Sequence, residues 1–272
     1  MLADSQIKQF YSEGYTIVRD VIPQTKLPEY REAYERMVEK VRAHPGREKY
    51  NTRLIQGNDK VCWGCDFLLH PDLYEPAFTD YLNNRKLLTS LGSILGDDLR
   101  ISGLKAIWSP VRANYDLGWH RDGPKDIYSE DGTQAYIQFN TALYHDESFR
   151  LVPGSHLRPL TEEEDTKYRS VEDITNQLVC MLEPGDAMFM HAAVLHRGKA
   201  SSSTKRRTLH YIIASSDYEV GTKRLNQFKG WYDEMRLDEK LEPAAKKLFD
   251  NFFAWQGKTF DDHYYPGLNY KN

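Results

Sequence analysis

Apolar positions recur at near-helical spacing through the first 97 residues, and from residue 98 the period shortens to two. Ile7, Phe10 and Tyr11 share one face of a short predicted helix, capped by Asp4 or Ser5 and stopped at Gly14. Tyr15–Val18 then reads as a strand. A second helix runs from Leu27 to about Ala43, with Tyr30, Ala33, Tyr34 and Val38 on its buried side. Residues 44 to 67 are polar and irregular and read as a surface or lid segment. A third helical stretch, about Asp72 to Leu95, carries Leu87, Leu88, Leu91 and Leu95 and ends at Gly96. Short strand-like runs follow at 99–101, 104–108, 135–144, 149–152, 178–182, 187–190 and 207–214, divided by turns such as Pro153-Gly154-Ser155 and Pro184-Gly185-Asp186. From about residue 225 helical spacing returns, with Leu241, Ala244, Ala245, Leu248 and Phe252 in one stripe. Many short punctuated strands predict a closed or double-sheet β architecture with flanking α-helices, in one domain over 1–272.

Composition narrows the class of function. The net charge of −4 leaves no basic excess for a nucleic-acid footprint. No window approaches the ~18 uninterrupted apolar residues of a membrane span. The opening MLADSQIKQFY lacks the basic and apolar runs of a secretory signal, so the expectation is a soluble, cytoplasmic protein. Cys62, Cys65 and Cys180 make no disulfide framework, and the Cys62-Trp-Gly-Cys65 spacing lacks the second pair that a four-cysteine zinc site needs. Thr161 with Glu164 reads as a capping box opening a short solvated helix.

Candidate chemistry centres on GWHRDGPKD, residues 118–126. Positions i and i+2 of extended chain point the same way, so His120 and Asp122 can converge on one ion while Arg121 points away. A third ligand must come from elsewhere, and His191 and His196 follow the strand AMFM. Two histidines and a carboxylate on one face of an iron leave adjacent positions for a chelating cosubstrate and dioxygen. Such a cosubstrate needs a cation, best an arginine fork. Lys205-Arg206-Arg207 opens the strand RTLHYII, where Arg206, Thr208 and His210 share one face and Arg207, Leu209, Tyr211 and Ile213 the other. Alternation does not say which arginine faces inwards.

Four segments in order carry a family resemblance: FYSEGYTIVRDVI, WHRD at 119–122, LVPGSH at 151–156, and LEPGDAMFMHAAVLHRG at 182–198, followed by an arginine eleven residues past the distal histidine. Over roughly residues 7 to 215 the chain resembles the phytanoyl-CoA dioxygenase family of Fe(II)- and 2-oxoglutarate-dependent oxygenases. The resemblance implies a double-stranded β-helix, a cupin-like jelly roll with flanking helices; it leaves the C-terminal part unmatched, and the helical spacing itself predicts that 1–97 and about 225–272 pack on the β core. It implies His120, Asp122 and His196 as iron ligands and Arg207 as the partner of the far carboxylate of 2-oxoglutarate. The same spacing sets His191 aside. Gln138 and Thr208 are further candidates near the cosubstrate. Where relatives often carry serine or threonine two residues after the distal histidine, this chain has Gly198, and Thr208 or Tyr211 could compensate. Asp122 fills the place that related halogenases keep small, which makes hydroxylation of a small-molecule C–H bond, with succinate and CO2 as coproducts, the default expectation.

Other outcomes among relatives, desaturation, epimerisation or ring formation, use the same site. A non-catalytic jelly-roll binding protein is the reading from another class. The expected cofactors are Fe(II), 2-oxoglutarate and O2, with ascorbate helpful in vitro. The expected partner is a small-molecule substrate, with no nucleic acid or membrane, and the oligomeric state is open. His156 reads as a turn histidine and His210 as packed or superficial. Lys105, Arg112, Arg121, Arg150 and Arg158 read as scattered charges, and Trp63, Trp108 and Trp119 as core or wall. Residues 44–67 and the loop 123–133 are the candidate lids.

Overall fold

The computed structural model describes residues 1–44, 47–55, 58–111, 113–217 and 228–259. Arg112 and the two ends of the C-terminal stretch, 225–227 and 260–272, lie outside them. The chain begins with α1 (Asp4–Glu13), β1 (Tyr15–Val18) and α2 (Leu27–Ala43), close to the bounds that periodicity predicts. Ala3 takes the N-cap position of α1, and Gly14 ends the helix at φ 84°. There a Cβ would stand 2.7 Å from His156 Nδ1, so backbone conformation and close approach both require glycine.

Residues 44–67 are more ordered than their polarity suggests. They contain α3 (Arg47–Tyr50) and the antiparallel pair β2 (Arg53–Ile55) and β3 (Asn58–Cys65). The predicted helix over 72–95 is two pieces, α4 (Pro76–Asp80) and α5 (Arg85–Leu95). The break falls at Asn84, whose side chain accepts from Leu87 N at 3.0 Å and starts α5 afresh.

The β region comprises β4 (Leu99–Trp108), β5 (Tyr115–Asp116), β6 (Tyr136–Ala142) and β7 (Asp146–Leu151). After α6 (Glu162–Thr166) come β8 (Leu178–Leu182), β9 (Ala187–Met190), β10 (His196–Ala200) and β11 (Arg207–Ser215). The capping box at α6 forms as expected, Thr161 Oγ1 accepting from Glu164 N while Glu164 accepts from Thr161 N. Helices α7 (Phe228–Glu234) and α8 (Pro243–Thr259) complete the described chain. Asn251 ties α8 to β4 by donating to Leu99 O at 2.8 Å.

Seven strands form one antiparallel sheet in the order β1-β9-β6-β11-β4-β3-β2, and four form a second, β5-β10-β7-β8. This is the jelly-roll arrangement, two facing sheets that remain open at their edges. Alternation along the large sheet sorts its residues onto two faces. Phe139, Leu209, Tyr211 and Ile213 join the helices in one buried cluster, including Tyr34 and Met37 of α2. Ala142, Met188 and Met190 face the other way and pack with Phe149, Leu151, Cys180 and Leu182 of the small sheet. Trp63, Ile107, Tyr115 and Ala200 make a second apolar cluster between the sheets. Residues from both of these inter-sheet clusters line the cavity described below.

Both cysteines of the CxxC lie on β3 and are buried, with Cys65 Sγ 3.8 Å from Met37 Sδ. Burial raises both thiols above the ordinary range, so they act as small apolar groups. Among the described residues, no helix is long and apolar enough to cross a membrane.

Candidate metal centre and cosubstrate pocket

His120 and His196 meet through two backbone hydrogen bonds, each N donating to the other's carbonyl at 2.9 Å. This isolated bridge fastens the HxD segment to the start of β10. Asp122 N, on the same side of the chain, donates to Ala192 O at 2.9 Å. Ligand atoms of His120, Asp122 and His196 consequently lie within 4.8 Å of one another, a separation one ion can bridge. His120 Nε2 is 3.9 Å from Asp122 Oδ1, and His196 Nε2 is 3.7 Å from Asp122 Oδ2.

The surroundings fix each donor. His120 Nδ1 donates to Gly118 O at 2.8 Å and His196 Nδ1 to Val194 O at 2.9 Å. Each bond leaves the Nε2 lone pair for the centre, as a ligating imidazole requires. Gln138 Nε2 donates to Asp122 Oδ2 at 2.8 Å and so sets the carboxylate plane. Phe149 stacks on His196 at 5.3 Å and 20°. Burial, reinforced by the neighbouring His196, depresses His120 to about 4, which keeps the ring neutral and able to ligate.

The centre opens into a cavity of about 120 Å³ between the sheets. Its walls include Gln138 and Asn140 of β6, His210 of β11, Lys105 of β4, Gly198 of β10 and Arg206. Here the structure corrects the sequence reading. Arg207 is absent from the cavity wall: its side chain shares a face with Leu209 and Tyr211, against α2. There Nε and Nη2 clamp Glu35 at 2.9 and 3.0 Å. Arg206, on the opposite phase, points between the sheets and is buried. Its Nε donates to Asp146 Oδ2 at 3.0 Å, and Nη1 donates to the Tyr115 hydroxyl. Strand alternation puts Arg206 and His210 on one face and Arg207 on the other, and packing alone decides which face points between the sheets. The spacing of eleven pointed to the neighbouring residue.

Three other expectations shift with it. Thr208 lies on the inward phase but not on the cavity wall; its hydroxyl donates to Asp146 Oδ2 at 3.3 Å and supports the partner of Arg206. Tyr211 faces the helices and donates to Phe78 O, so it cannot compensate for Gly198. Tyr115 fills that space: a Cβ at Gly198 would stand 3.4 Å from its ring and hydroxyl. His210 is neither superficial nor idle. It lines the cavity, donates from Nδ1 to Asn140 Oδ1 at 2.6 Å, and is held neutral by burial.

The remaining candidates fall outside the site. Arg121 is buried and donates to the carbonyls of Lys125, Ile127, Ser155 and Arg158, which stitches the loop after the HxD segment to the PGSH turn. That loop, expected as a lid, is anchored by Arg121 at Lys125 and Ile127, and none of its residues lines the cavity. His156 Nε2 holds Tyr11 O at 3.0 Å, and His191 packs on His156 at 4.7 Å. Trp119 is fully buried and donates to Glu172 O. Arg158 pairs with Glu164.

Comparison with known proteins agrees with this architecture. Solved structures similar to the chain include AviO1 from Streptomyces viridochromogenes Tue57, with a TM-score of 0.62 at 15% identity over 80% of this chain and 97% of that one. EctD from S. alaskensis, crystallised with 2-oxoglutarate and 5-hydroxyectoine, gives 0.61 at 12% identity over 79% and 77%. The non-heme alpha ketoglutarate dependent epimerase SnoN from nogalamycin biosynthesis gives 0.58 at 18% identity over 78% and 80%. At these identities the likeness is one of fold. No curated protein matches the sequence significantly. The phytanoyl-CoA dioxygenase model, however, matches residues 10–209, a span that contains the bridged histidines, Asp122 and both arginines. The chain therefore belongs to the phytanoyl-CoA dioxygenase family.

Proposed function

We propose that the protein is an Fe(II)- and 2-oxoglutarate-dependent oxygenase acting on a small molecule, and that its reaction is hydroxylation of an unactivated C–H bond. The observation that carries this reading is the convergence of His120, Asp122 and His196 at the mouth of a cavity that also contains a buried arginine. Two imidazoles and one carboxylate are a donor set for non-heme iron with open positions. The pocket also fits a dicarboxylate. Asn140 Nδ2 is buried without a hydrogen-bond partner, and an acceptor such as a carboxylate oxygen satisfies it.

When bound, iron with 2-oxoglutarate supplies the oxidising power, with succinate and CO2 as coproducts. This chain's residues do the positioning. His120, Asp122 and His196 hold the metal, and Gln138 keeps the Asp122 carboxylate turned towards it. Arg206 meets the far carboxylate of 2-oxoglutarate, steadied by Asp146 and flanked by the Tyr115 hydroxyl. Asn140 donates from the floor. Phe149, Ile107 and Leu117 form apolar parts of the wall, which limits water near the reacting carbon.

A second outcome, epimerisation on the same site, is favoured by the fold shared with SnoN. The two separate by product analysis: hydroxylation adds one oxygen to the intact mass of the substrate, and epimerisation leaves the mass unchanged. The experiment for the shared part is succinate formation from 2-oxoglutarate with Fe(II) and ascorbate, with and without metabolite pools. Substrate-stimulated succinate that disappears in Asp122→Ala supports the reading. Succinate formation that persists in Asp122→Ala rejects it.

A further inference from the structure

The iron and 2-oxoglutarate roles occupy the half of the cavity built by β6, β10 and β11. The other half comes from β2, β3 and β4 and carries Arg53, Trp63, Lys105 and Ile107. Arg53 pairs with Gly64, which pairs with Ile107, so Arg53 sits two strands, roughly 10 Å, from the β4 backbone. Its side chain reaches the cavity only by lying back across β3. Gly64 makes the path: a Cβ there would stand 3.0 Å from Arg53 Cδ and 2.8 Å from Ala106 O.

Once across, the guanidinium is held. Nε and Nη2 donate to Asp66 Oδ1 at 3.1 and 2.9 Å, and Asn51 donates to the other oxygen of Asp66 at 2.6 Å. Trp63 lies 5.4 Å from the guanidinium and stacks on Tyr115 at 4.8 Å and 20°, giving this half a flat aromatic side. With Nε and Nη2 held, Nη1 makes no hydrogen bond among the described residues and can meet a ligand. Lys105 adds a second cation from the neighbouring row, opposite His210. Among the described residues lining the cavity, the one acidic side chain is Asp122, which the metal takes.

We propose that this half of the cavity binds an anionic group of the substrate, a carboxylate or a phosphate, through Arg53 and Lys105. The inference rests on the oxygenase reading, because it places the oxidised carbon between that anion and the iron. Lys105 lies two strands across from Asn140 on β6, and Gln138 is two residues further along, a backbone span of about 12 Å. A chain of about six carbons matches that span.

The test uses hexanoate, hexyl phosphate and hexan-1-ol, titrated calorimetrically and without oxygen into the full chain loaded with Mn(II) and saturating 2-oxoglutarate. One of the two anions is expected to bind about tenfold or more tighter than the alcohol, the worth of one hydrogen bond to a charged group. Preference for hexyl phosphate assigns a phosphorylated substrate, and preference for hexanoate a carboxylic acid. Arg53→Gln and Lys105→Gln should each weaken the preferred anion about tenfold, the loss falling on charged probes and not on the alcohol. Lys105 is partly exposed, so its variant gives a result even if Arg53→Gln disturbs the β2 edge. Equal binding of alcohol and anions, undiminished anion binding in both variants, or displacement of 2-oxoglutarate by the anions overturns the proposal. If 2-oxoglutarate does not bind the Mn(II) protein at all, the oxygenase reading fails first and this proposal with it.

Discussion

The proposed contact between Arg206 and 2-oxoglutarate can be tested against the neighbouring Arg207, which is clamped on Glu35 instead. On the proposed role, replacing Arg206 should remove charge-assisted hydrogen bonds to the far carboxylate of 2-oxoglutarate, each worth about 1.5–3 kcal/mol, or roughly 10- to 150-fold in affinity. The single variant also strands Asp146, a buried carboxylate whose pKa is held low by the same guanidinium. Breaking one side of such a pair costs about 3–5 kcal/mol of stability and would confuse loss of binding with loss of fold. The informative variant is therefore Arg206→Gln with Asp146→Asn, which replaces the ion pair by two amides of similar shape. Arg207→Gln is the control. Glu35 keeps Lys205 at 3.0 Å and is partly exposed, so this change should cost about 1 kcal/mol of stability. Equilibrium dialysis of labelled 2-oxoglutarate against the Mn(II) forms reads the difference directly. The Arg206/Asp146 double variant should lose at least about tenfold, whereas Arg207→Gln should stay within about twofold of wild type, since among the described cavity residues its guanidinium hydrogen-bonds only the Arg206 carbonyl. If Arg207→Gln weakens binding as much as the double variant does, the assignment of Arg206 is wrong.

Other expectations follow from single contacts. Gln138→Leu removes the hydrogen bond to Asp122 Oδ2 and should weaken metal binding about 10- to 100-fold in a competition titration, with the fold intact by circular dichroism. Gly64→Ala places a methyl 2.8 Å from the Ala106 carbonyl and should destabilise the protein by about 1–3 kcal/mol, read as a lower urea midpoint. His191 is depressed to about 4 by burial and by His156, while the unfolded chain titrates near 6.5. The unfolded state then binds the extra proton first, so stability is unaffected above about pH 6.5 and falls as the pH drops towards about 4, by ~3 kcal/mol for this residue. Urea midpoints at pH 7.5 and 5 should therefore converge in His191→Gln relative to wild type.

The parts of the fold that periodicity made legible are those with one wet and one dry face. Helix α2, with seven buried side chains on one side, falls at its expected bounds, and β8 and β9 match their predicted runs. Strand β10, HRGKA, gives no such signal. Its inward positions are a histidine, a glycine and an alanine, and its outward Arg197 is buried by ion pairs, so apolar alternation never develops. The β2–β3 pair was hidden for a related reason, since Arg53 and Gly64 serve the cavity rather than the core. In the site, His196 was separated from His191 only by the family resemblance, whereas the HxD pair could be read from residue type and spacing. The inward arginine could not, because its phase is set by packing of Arg207 on Glu35, 172 residues away. Asn140, Tyr115 and Lys105 carried no motif at all and became visible only when three strands placed them around one space.

If His120, Asp122 and His196 bind one metal ion, 2-oxoglutarate binding should depend on that ion. Isothermal titration of 2-oxoglutarate into the protein, with and without Mn(II), tests it most directly. Binding should be one-to-one with the metal present, weak without it, and absent in His196→Ala. Equal affinity in metal-free protein, or in His196→Ala, would contradict it.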